Sequence, residues 1–305
     1  MRIVCIGQAA FGEAVLRKLT ERGEEVVAVY TPPDTAGRNN PLKEFAVQIG
    51  IPVFQPGSMR APEVYEEYRR LKPNLNVMAF VTSILPDSIL DYPSMGTIQY
   101  HPSLLPKHRG GSAINRAIIN GETKTGITIF WPDGGIDTGP ILLQKEVEIS
   151  PDDTVGSLYF EKLFPMGVEA LVEAIELLKK GVAPRIPQDE SEATYEGLCT
   201  EKDAIIDWSA PIGRVYDLIR GTNPQPGATT YFHGKKLKIF DSRPIHDNVG
   251  GLPGEIADIG AGGFVVSLKR GAILVHKVQM NKSPKVEAAE FVRQVGLAPG
   301  DRLGR

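Results

Sequence analysis

Over its first hundred residues the chain alternates short apolar runs with helix-length segments, and this pattern limits its fold more than any other feature. Residues 3–6 and 25–31 read as strands, with a helix over 11–22 between them. A helix over 41–50 leads into a short strand at 51–54, a helix over 61–71 leads into a strand at 75–80, and residues 98–101 form the next strand. Strands separated by helices usually run in the same direction within one sheet, so the pattern predicts a Rossmann-like, doubly wound parallel α/β sheet. Ligands of such sheets bind beyond the carboxyl ends of the strands. His101 stands at one of those ends.

Past residue 125 the pattern changes. Residues 126–132 and 141–149 read as two strands joined by an Asp-Gly-Gly-Ile-Asp-Thr-Gly-Pro turn, and a long amphipathic helix over 153–180 follows the start signal Pro151-Asp152-Asp153-Thr154. Residues 181–203, rich in Pro, Glu, Gln and Ser, read as a linker over the surface. A helix at 211–220, an Asn-Pro-Gln-Pro-Gly breaker and strands at 228–232, 236–241, 254–259, 263–267 and 272–278 then suggest a small β-barrel. The chain has 305 residues, which favours more than one domain. The expected division is a first domain over 1–182, a linker over 183–203 and a C-terminal barrel domain over 204–305.

Charge and cysteine content set the surroundings. The two cysteines, Cys5 and Cys199, argue against a disulfide framework and suit a reducing compartment. The N-terminus opens directly into a strand, and no apolar run reaches the roughly 20 residues that span a bilayer, so a cytoplasmic protein is expected. Residues 204–305 carry a net charge of +5 and residues 1–203 one of −8. The basic C-terminal part could meet an anionic partner such as tRNA, with Lys235, Lys236 and Lys238 as the best candidates; a solvated surface explains the asymmetry equally well.

Gly7-Gln8-Ala9-Ala10-Phe11-Gly12, just after the first strand, looks like a dinucleotide fingerprint with its middle glycine missing. That glycine is the one that lets the backbone approach a pyrophosphate. The second strand also ends Val29-Tyr30-Thr31-Pro32-Pro33, without the acid that would hold a ribose. A tight strand-to-helix turn accounts for Gly7 and Gly12.

The chemistry concentrates between residues 96 and 139. Alternate residues of a strand share a face, so Gln99 and His101 point the same way and Tyr100 the other. Pro102 and Pro106 stiffen the segment that follows. Ser103 can donate or accept a hydrogen bond there, and the expected exposed backbone of Leu104 and Leu105 offers donors and acceptors. Lys107-His108-Arg109-Gly110-Gly111 reads as a basic loop suited to an acidic ligand tail, and Asn115 opens the next helix. Asp137 lies in a glycine-rich turn. A histidine with an acid partner moves protons near neutral pH. Taken singly, His101 is an ordinary strand-end histidine and Asp137 an ordinary turn former. Two cysteines and five scattered histidines give no metal-ligand spacing, and no Gly-x-Ser-x-Gly elbow supplies a nucleophile. Transfer chemistry, in which the substrates supply both nucleophile and electrophile, fits what remains.

HPSLLPKHRGGSAIN followed by GGIDTGPIL strongly resembles the folate-dependent formyltransferase family, and the likeness extends to IDWSAPIGRVYDLIRGTNPQPGA. That family includes methionyl-tRNA formyltransferase, amino-sugar formyltransferases and the hydrolase domain of 10-formyltetrahydrofolate dehydrogenase. The resemblance implies a Rossmann-like domain with an OB-like C-terminal barrel, 10-formyltetrahydrofolate as co-substrate without a metal, and an Asn–His–Asp triad. His101 and Asp137 match two members, and Gln99 stands where the Asn is expected. Its amide lies on the same face but reaches one methylene further. The dehydrogenase's hydrolase domain also lacks that Asn, and its ATYEG and IRG segments resemble residues 193–197 and 219–221 here. By the same resemblance Ser83, Ile84 and Leu85 contact the folate, largely through backbone, and Ser103, Leu104, Leu105 and Asp137 complete the folate site. The implied activity is formyl transfer to an amine, either methionyl-tRNA or a small aminated metabolite. The alternatives are a hydrolase releasing formate and a folate-binding protein without turnover. Acceptor choice is expected to reside in loops such as residues 34–40 and in the C-terminal module. Oligomeric state is not legible.

Overall fold

The computed structural model describes residues 1–305 apart from Ala36, Arg38, Asn39, Asn248 and Arg305, so part of the 34–40 loop lies outside the described residues. In chain order the first elements are β1 (Arg2–Gly7), α1 (Ala9–Glu21), β2 (Glu25–Tyr30), α2 (Pro41–Gln48), β3 (Val53–Phe54) and α3 (Pro62–Arg70). They are followed by β4 (Leu75–Ala79), α4 (Asp87–Leu90), β5 (Thr97–His101), β6 (Arg109–Gly110), α5 (Ala113–Ile119), β7 (Lys124–Phe130) and β8 (Ile141–Glu148). Next come α6 (Val155–Ser157), α7 (Phe164–Lys179), β9 (Tyr195–Glu196) and α8 (Ile212–Gly221). The chain closes with β10 (Ala228–Phe232), β11 (Lys235–Ile245), β12 (Ile256–Gly260), β13 (Gly263–Ser267), β14 (Ala272–Met280), β15 (Val286–Glu287) and α9 (Ala288–Val295).

Two compact units form, and neither is contiguous in sequence. One comprises Met1–Gly110, Gly126–Val147 and Phe160–Tyr195, and the other Gly111–Thr125, Glu148–Tyr159 and Glu196–Arg305. The first is built on a seven-stranded mixed sheet in the order β3-β2-β1-β4-β5-β7-β8. Pairing is parallel from β3 to β5. Then β7 runs antiparallel to β5, with His101 opposite Thr128 and Gln99 opposite Phe130. The five strands whose alternation predicted a parallel sheet are parallel, and the later strand β7 makes the whole sheet mixed. Apolar periodicity in a buried strand is the same for either direction, so the pattern does not register the reversal.

The strands bury because they are apolar on both faces: residues 3–6 and 77–79 are all buried. In α1, Phe11, Val15, Leu16 and Leu19 form the buried stripe expected of a 3.6-residue period. Gly7 is dictated by space, since a Cβ there would lie 2.1 Å from the Ala79 carbonyl oxygen; at Gly12 one would lie 3.0 Å from Leu42. The positive φ of that turn falls on Ala9. Close packing of β1 and α1 against their neighbours thus explains the glycines.

The expected long helix is broken. Thr154 and Ser157 form a reciprocal capping box at the start, as the sequence signal indicated. Residues Leu158–Leu163 are then π-helical, and α7 begins with Pro165 in its first turn. Proline brings no N–H, so the regular ladder cannot pass through it.

In the second unit an antiparallel sheet has the order β10-β11-β14-β13-β12, with β15 added beside β14. Among the described residues no pairing joins β10 to β12, so the barrel anticipated from sequence is an unclosed sheet here. Strand β11 extends past the predicted 236–241 to Ile245, through two irregularities between Ile239 and Ser242. The core of this unit gathers Trp208, Ile219, Phe232, Phe264 and Phe291, the last from α9, which the sequence reading left unassigned. No helix of the described residues is long and apolar enough to cross a membrane.

Candidate active site

Strand β5 ends at His101, whose side chain is almost fully buried. Tyr100 faces the other way and packs on Phe11, with ring centroids 4.3 Å apart. Both imidazole nitrogens meet oxygen: Nε2 lies 2.8 Å from the His108 carbonyl, and Nδ1 lies 3.5 Å from Asp137 Oδ2. A carbonyl only accepts, so Nε2 is the donor to His108, and Nδ1 is the ring nitrogen that faces the carboxylate. His108 has a positive φ of 56°, the bend that brings its carbonyl back over β5.

Asp137 is carried by the turn between β7 and β8. The turn is closed by a hydrogen bond from Trp131 N–H to Pro140 O, and Asp133 Oδ1 accepts from Gly135 N–H and from the Thr138 hydroxyl. A Cβ on Gly139 would lie 1.7 Å from Trp131 O, so only glycine fits there. Asp137 itself adopts φ 55°, a left-handed conformation that Asp tolerates better than most residues. Its Oδ2 accepts a 2.8 Å hydrogen bond from Gly110 N–H. The carboxylate is thus aimed by backbone on one side and faces the imidazole on the other.

Gln99 lies two residues before His101 on the same strand face, and its amide has no hydrogen-bond partner among the described residues. Beside it, at the end of β4, residues 81–85 form a loop in which no backbone N–H or C=O is paired among the described residues. Ser83 and Ile84 are exposed there. Leu85 is not: its side chain is buried with Tyr68, Ile89 and Leu90, so only its backbone is open to a ligand.

The segment after His101 differs from its sequence expectation. Ser103 is fully buried, with its hydroxyl donating to Lys107 O at 2.6 Å. Leu104 is half-buried and its carbonyl accepts from Lys107 N–H. Leu105 is buried, its N–H donating to Thr128 Oγ1 and its carbonyl accepting from the Gln144 amide. The Leu105 backbone is therefore not exposed, because Thr128 and Gln144 on the antiparallel strands satisfy it. Thr128 is the hub: its hydroxyl donates to Ser103 O at 2.7 Å and accepts from Leu105 N–H and from Gln144.

The basic loop is also reversed in meaning. Arg109 is buried and spans two acceptors, with Nε and Nη2 on Gln188 Oε1 and Nη1 and Nη2 on the two Glu190 oxygens. That carboxylate pushes the guanidinium pKa up, and the guanidinium in turn holds Glu190 below the usual carboxylate range. Arg109 is thus already paired and does not wait for an acidic tail. Glu190 and Gln188 belong to the stretch read as a linker over the surface, and their hydrogen bonds hold that stretch to the site. Ile186 and Ile141 exchange backbone hydrogen bonds, Thr194 O accepts from Arg109 N–H, and Thr194 Oγ1 accepts from His108 N–H. Thr194 lies in the ATYEG segment that the family likeness had marked. Nothing local to Gln188, Thr128 or Gln144 distinguished them, since their partners are far away in sequence.

In the second unit, Asn115 sits within α5 and its amide donates to Gly221 O and Gln225 O. Lys236 and Lys238 share Glu201, at 2.8 and 2.7 Å, and hold its carboxyl down at about 2. One carboxylate thus offsets part of the suspected basic patch of Lys235, Lys236 and Lys238. No group of three or more potential metal-ligating side chains occurs among the described residues.

Fold and site together define an α/β protein with a buried histidine–carboxylate pair at the carboxyl edge of a parallel-rich sheet, suited to proton handling during group transfer. The chain belongs to the formyl transferase family: residues 1–175 match the Formyl transferase model and residues 199–296 the Formyl transferase, C-terminal domain model. It is 46% identical over 247 residues to a human cytosolic 10-formyltetrahydrofolate dehydrogenase, covering 79% of this chain and 27% of that one. The chain thus spans about a quarter of the length of those dehydrogenases. It is also 40% identical over 310 residues to the methionyl-tRNA formyltransferase of Geobacter sulfurreducens, covering 100% of this chain and 97% of that one. Among solved structures, an N-formyltransferase from Helicobacter canadensis in complex with folinic acid and dTDP-3-aminofucose shares the fold, at TM-score 0.68 and 19% identity over 92% of this chain and 99% of that one.

Proposed function

We propose that this protein transfers the formyl group of 10-formyltetrahydrofolate to an amine. The observation that carries this reading is the His101 imidazole, held between the His108 carbonyl and the Asp137 carboxylate beside the unpaired Gln99 amide. The folate would lie along residues 81–85, whose open backbone can bond a pterin edge, with the formyl carbon toward β5. Exposed Phe80 and Ile84 offer it apolar surface. The acceptor nitrogen attacks the formyl carbon and the Gln99 amide donates to the developing oxyanion. Asp137 orients His101 and helps draw the proton from the attacking nitrogen, and the bond to folate N10 breaks as that nitrogen is reprotonated. Ser103 and Leu105 support the site from below, while Leu104 remains available at its rim. The reaction needs no metal and is assigned to the cytoplasm. The full length of the relation to methionyl-tRNA formyltransferase favours a methionyl-tRNA acceptor, taken up with the help of the C-terminal module, which we read as OB-like. The 1–182, 183–203 and 204–305 division remains our reading of the functional modules.

A second reading is hydrolysis to formate, favoured by Gln99 in place of the expected Asn. Tetrahydrofolate release from 10-formyltetrahydrofolate separates the cases, measured without acceptor, with methionyl-tRNA and with an aminated sugar nucleotide. Release only with an amine supports transfer and names the acceptor class. Equal release without one makes the protein a hydrolase. Silence in all three, with folate still bound, leaves a binding protein.

A further inference from the structure

A side chain 51 residues away is hydrogen-bonded to the turn that carries Asp137. The Gln188 amide nitrogen donates into the Asp137 turn twice, to Asp137 O at 2.9 Å and to Gly139 O at 2.7 Å. The oxygen of the same amide accepts from Arg109 Nε and Nη2 at 3.1 and 2.8 Å. Arg109 stands between the two backbone groups that frame the reacting pair. His108 before it supplies the carbonyl on His101 Nε2, and Gly110 after it supplies the N–H on Asp137 Oδ2. One amide therefore joins the turn that carries the acid to the loop that carries both backbone contacts. Glu190, on the solvent side, fixes the other edge of Arg109 at 2.6 and 2.9 Å.

We propose that Gln188 is a positioning residue: its amide locks the Asp137 turn to the Arg109 loop and so sets the carboxylate against the His101 ring. The segment in which it lies is then a functional strap of the site. This rests on the proposed formyl-transfer reading for its kinetic consequences, though the geometry it describes does not. Displacement of a reacting group by about 1 Å costs on the order of 10²-fold in rate. Loss of the Gln188 donors should therefore lower kcat at least tenfold with KM for 10-formyltetrahydrofolate nearly unchanged.

Two substitutions separate positioning from simple anchoring. Gln188→Ala removes the whole clamp. Gln188→Glu keeps the acceptor for Arg109 but removes both donors and sets carboxylate oxygens against two carbonyls. Positioning predicts that both lose kcat, whereas anchoring alone predicts that the Glu variant keeps it. In an Asp137→Ala background Gln188→Ala should cost less than twofold, because there is no carboxylate left to place. A second readout does not need turnover. In protein labelled on histidine nitrogens, the His101 signals, identified by their loss in His101→Asn, should move in both Gln188 variants toward their place in Asp137→Ala. Unmoved His101 signals, an active Gln188→Glu, or an undiminished Gln188→Ala loss in the Asp137→Ala background would each overturn the proposal. If the wild-type protein turns over no 10-formyltetrahydrofolate, the functional reading fails and the histidine signals still decide the role of Gln188.

Discussion

The loops that leave the adjacent strands β4 and β5 are built on opposite plans. After β4, residues 81–85 leave all their backbone groups unpaired among the described residues. After β5, the backbone is tied at nearly every step: Leu105 to Thr128 and Gln144, Pro106 and Arg109 to Thr194, His108 to His101, and Gly110 to Asp137. Backbone without an internal partner is bonded by water and is free to exchange it for a ligand. Backbone consumed internally cannot bind, but it resists displacement. On the proposed reading, one loop receives the folate and the other holds the acid–base pair in place. A binding loop pays little for openness because it contributes no reacting group, whereas misplacing an acid or base is costly.

The largest effect that can break this contrast lies on the held side. His101→Ala or Asp137→Ala should lower kcat at least about 10²-fold in formyl release, as for a general acid–base group, with folate affinity largely retained. A small loss would mean that the rigid loop serves some other purpose. Next, Thr128→Val leaves Ser103 O, Leu105 N–H and the Gln144 amide short of a buried partner. A loss of about 1–3 kcal/mol is expected, seen as a lower Tm and a lower kcat together. On the open side Ile84→Asp should raise the KM for 10-formyltetrahydrofolate up to about tenfold, with kcat and Tm unchanged, since Ile84 is exposed and supports no core. A kcat effect there would erase the division of labour.

The smallest effect belongs to a control in the other unit. Asp203 accepts from the Thr200 N–H and hydroxyl and pairs with Arg116, and these contacts hold its carboxyl at about 2, below the usual aspartate range. A lowered folded-state pKa adds stability that is complete above the unfolded value and disappears as pH falls through the folded one. The Tm difference between wild type and Asp203→Asn should therefore be present at pH 6, shrink below about pH 4 and vanish near pH 2, with kcat at neutral pH unaffected.

Much of this contrast's scaffold was legible in advance. Strands β1, β2, β4 and β5 fall within two residues of their expected bounds, because an apolar run between turn signals is a local property. His101 and Asp137 were paired by their motif, and the structure brings them to 3.5 Å. Other features escaped for identifiable reasons. The antiparallel direction of β7 depends on which strand it meets, and β-periodicity carries no direction. The break at Pro165 was overridden by the amphipathic pattern on either side. Arg109 read as part of a basic loop open to an acidic ligand because Glu190 and Gln188, to which it is bonded, lie about 80 residues on. The same distance hid the strap within a stretch whose composition reads as linker.

By itself the sequence determined the order of strands and helices, the position of the histidine at a strand end and the acid in a glycine-rich turn. These follow from side-chain period and backbone sterics within a few residues. Only the tertiary structure decided which backbone groups stay open, which basic side chain is already paired, and that the linker locks the acid in place. Each of those depends on hydrogen bonds between segments far apart in the chain, and a linear pattern does not record where such segments meet.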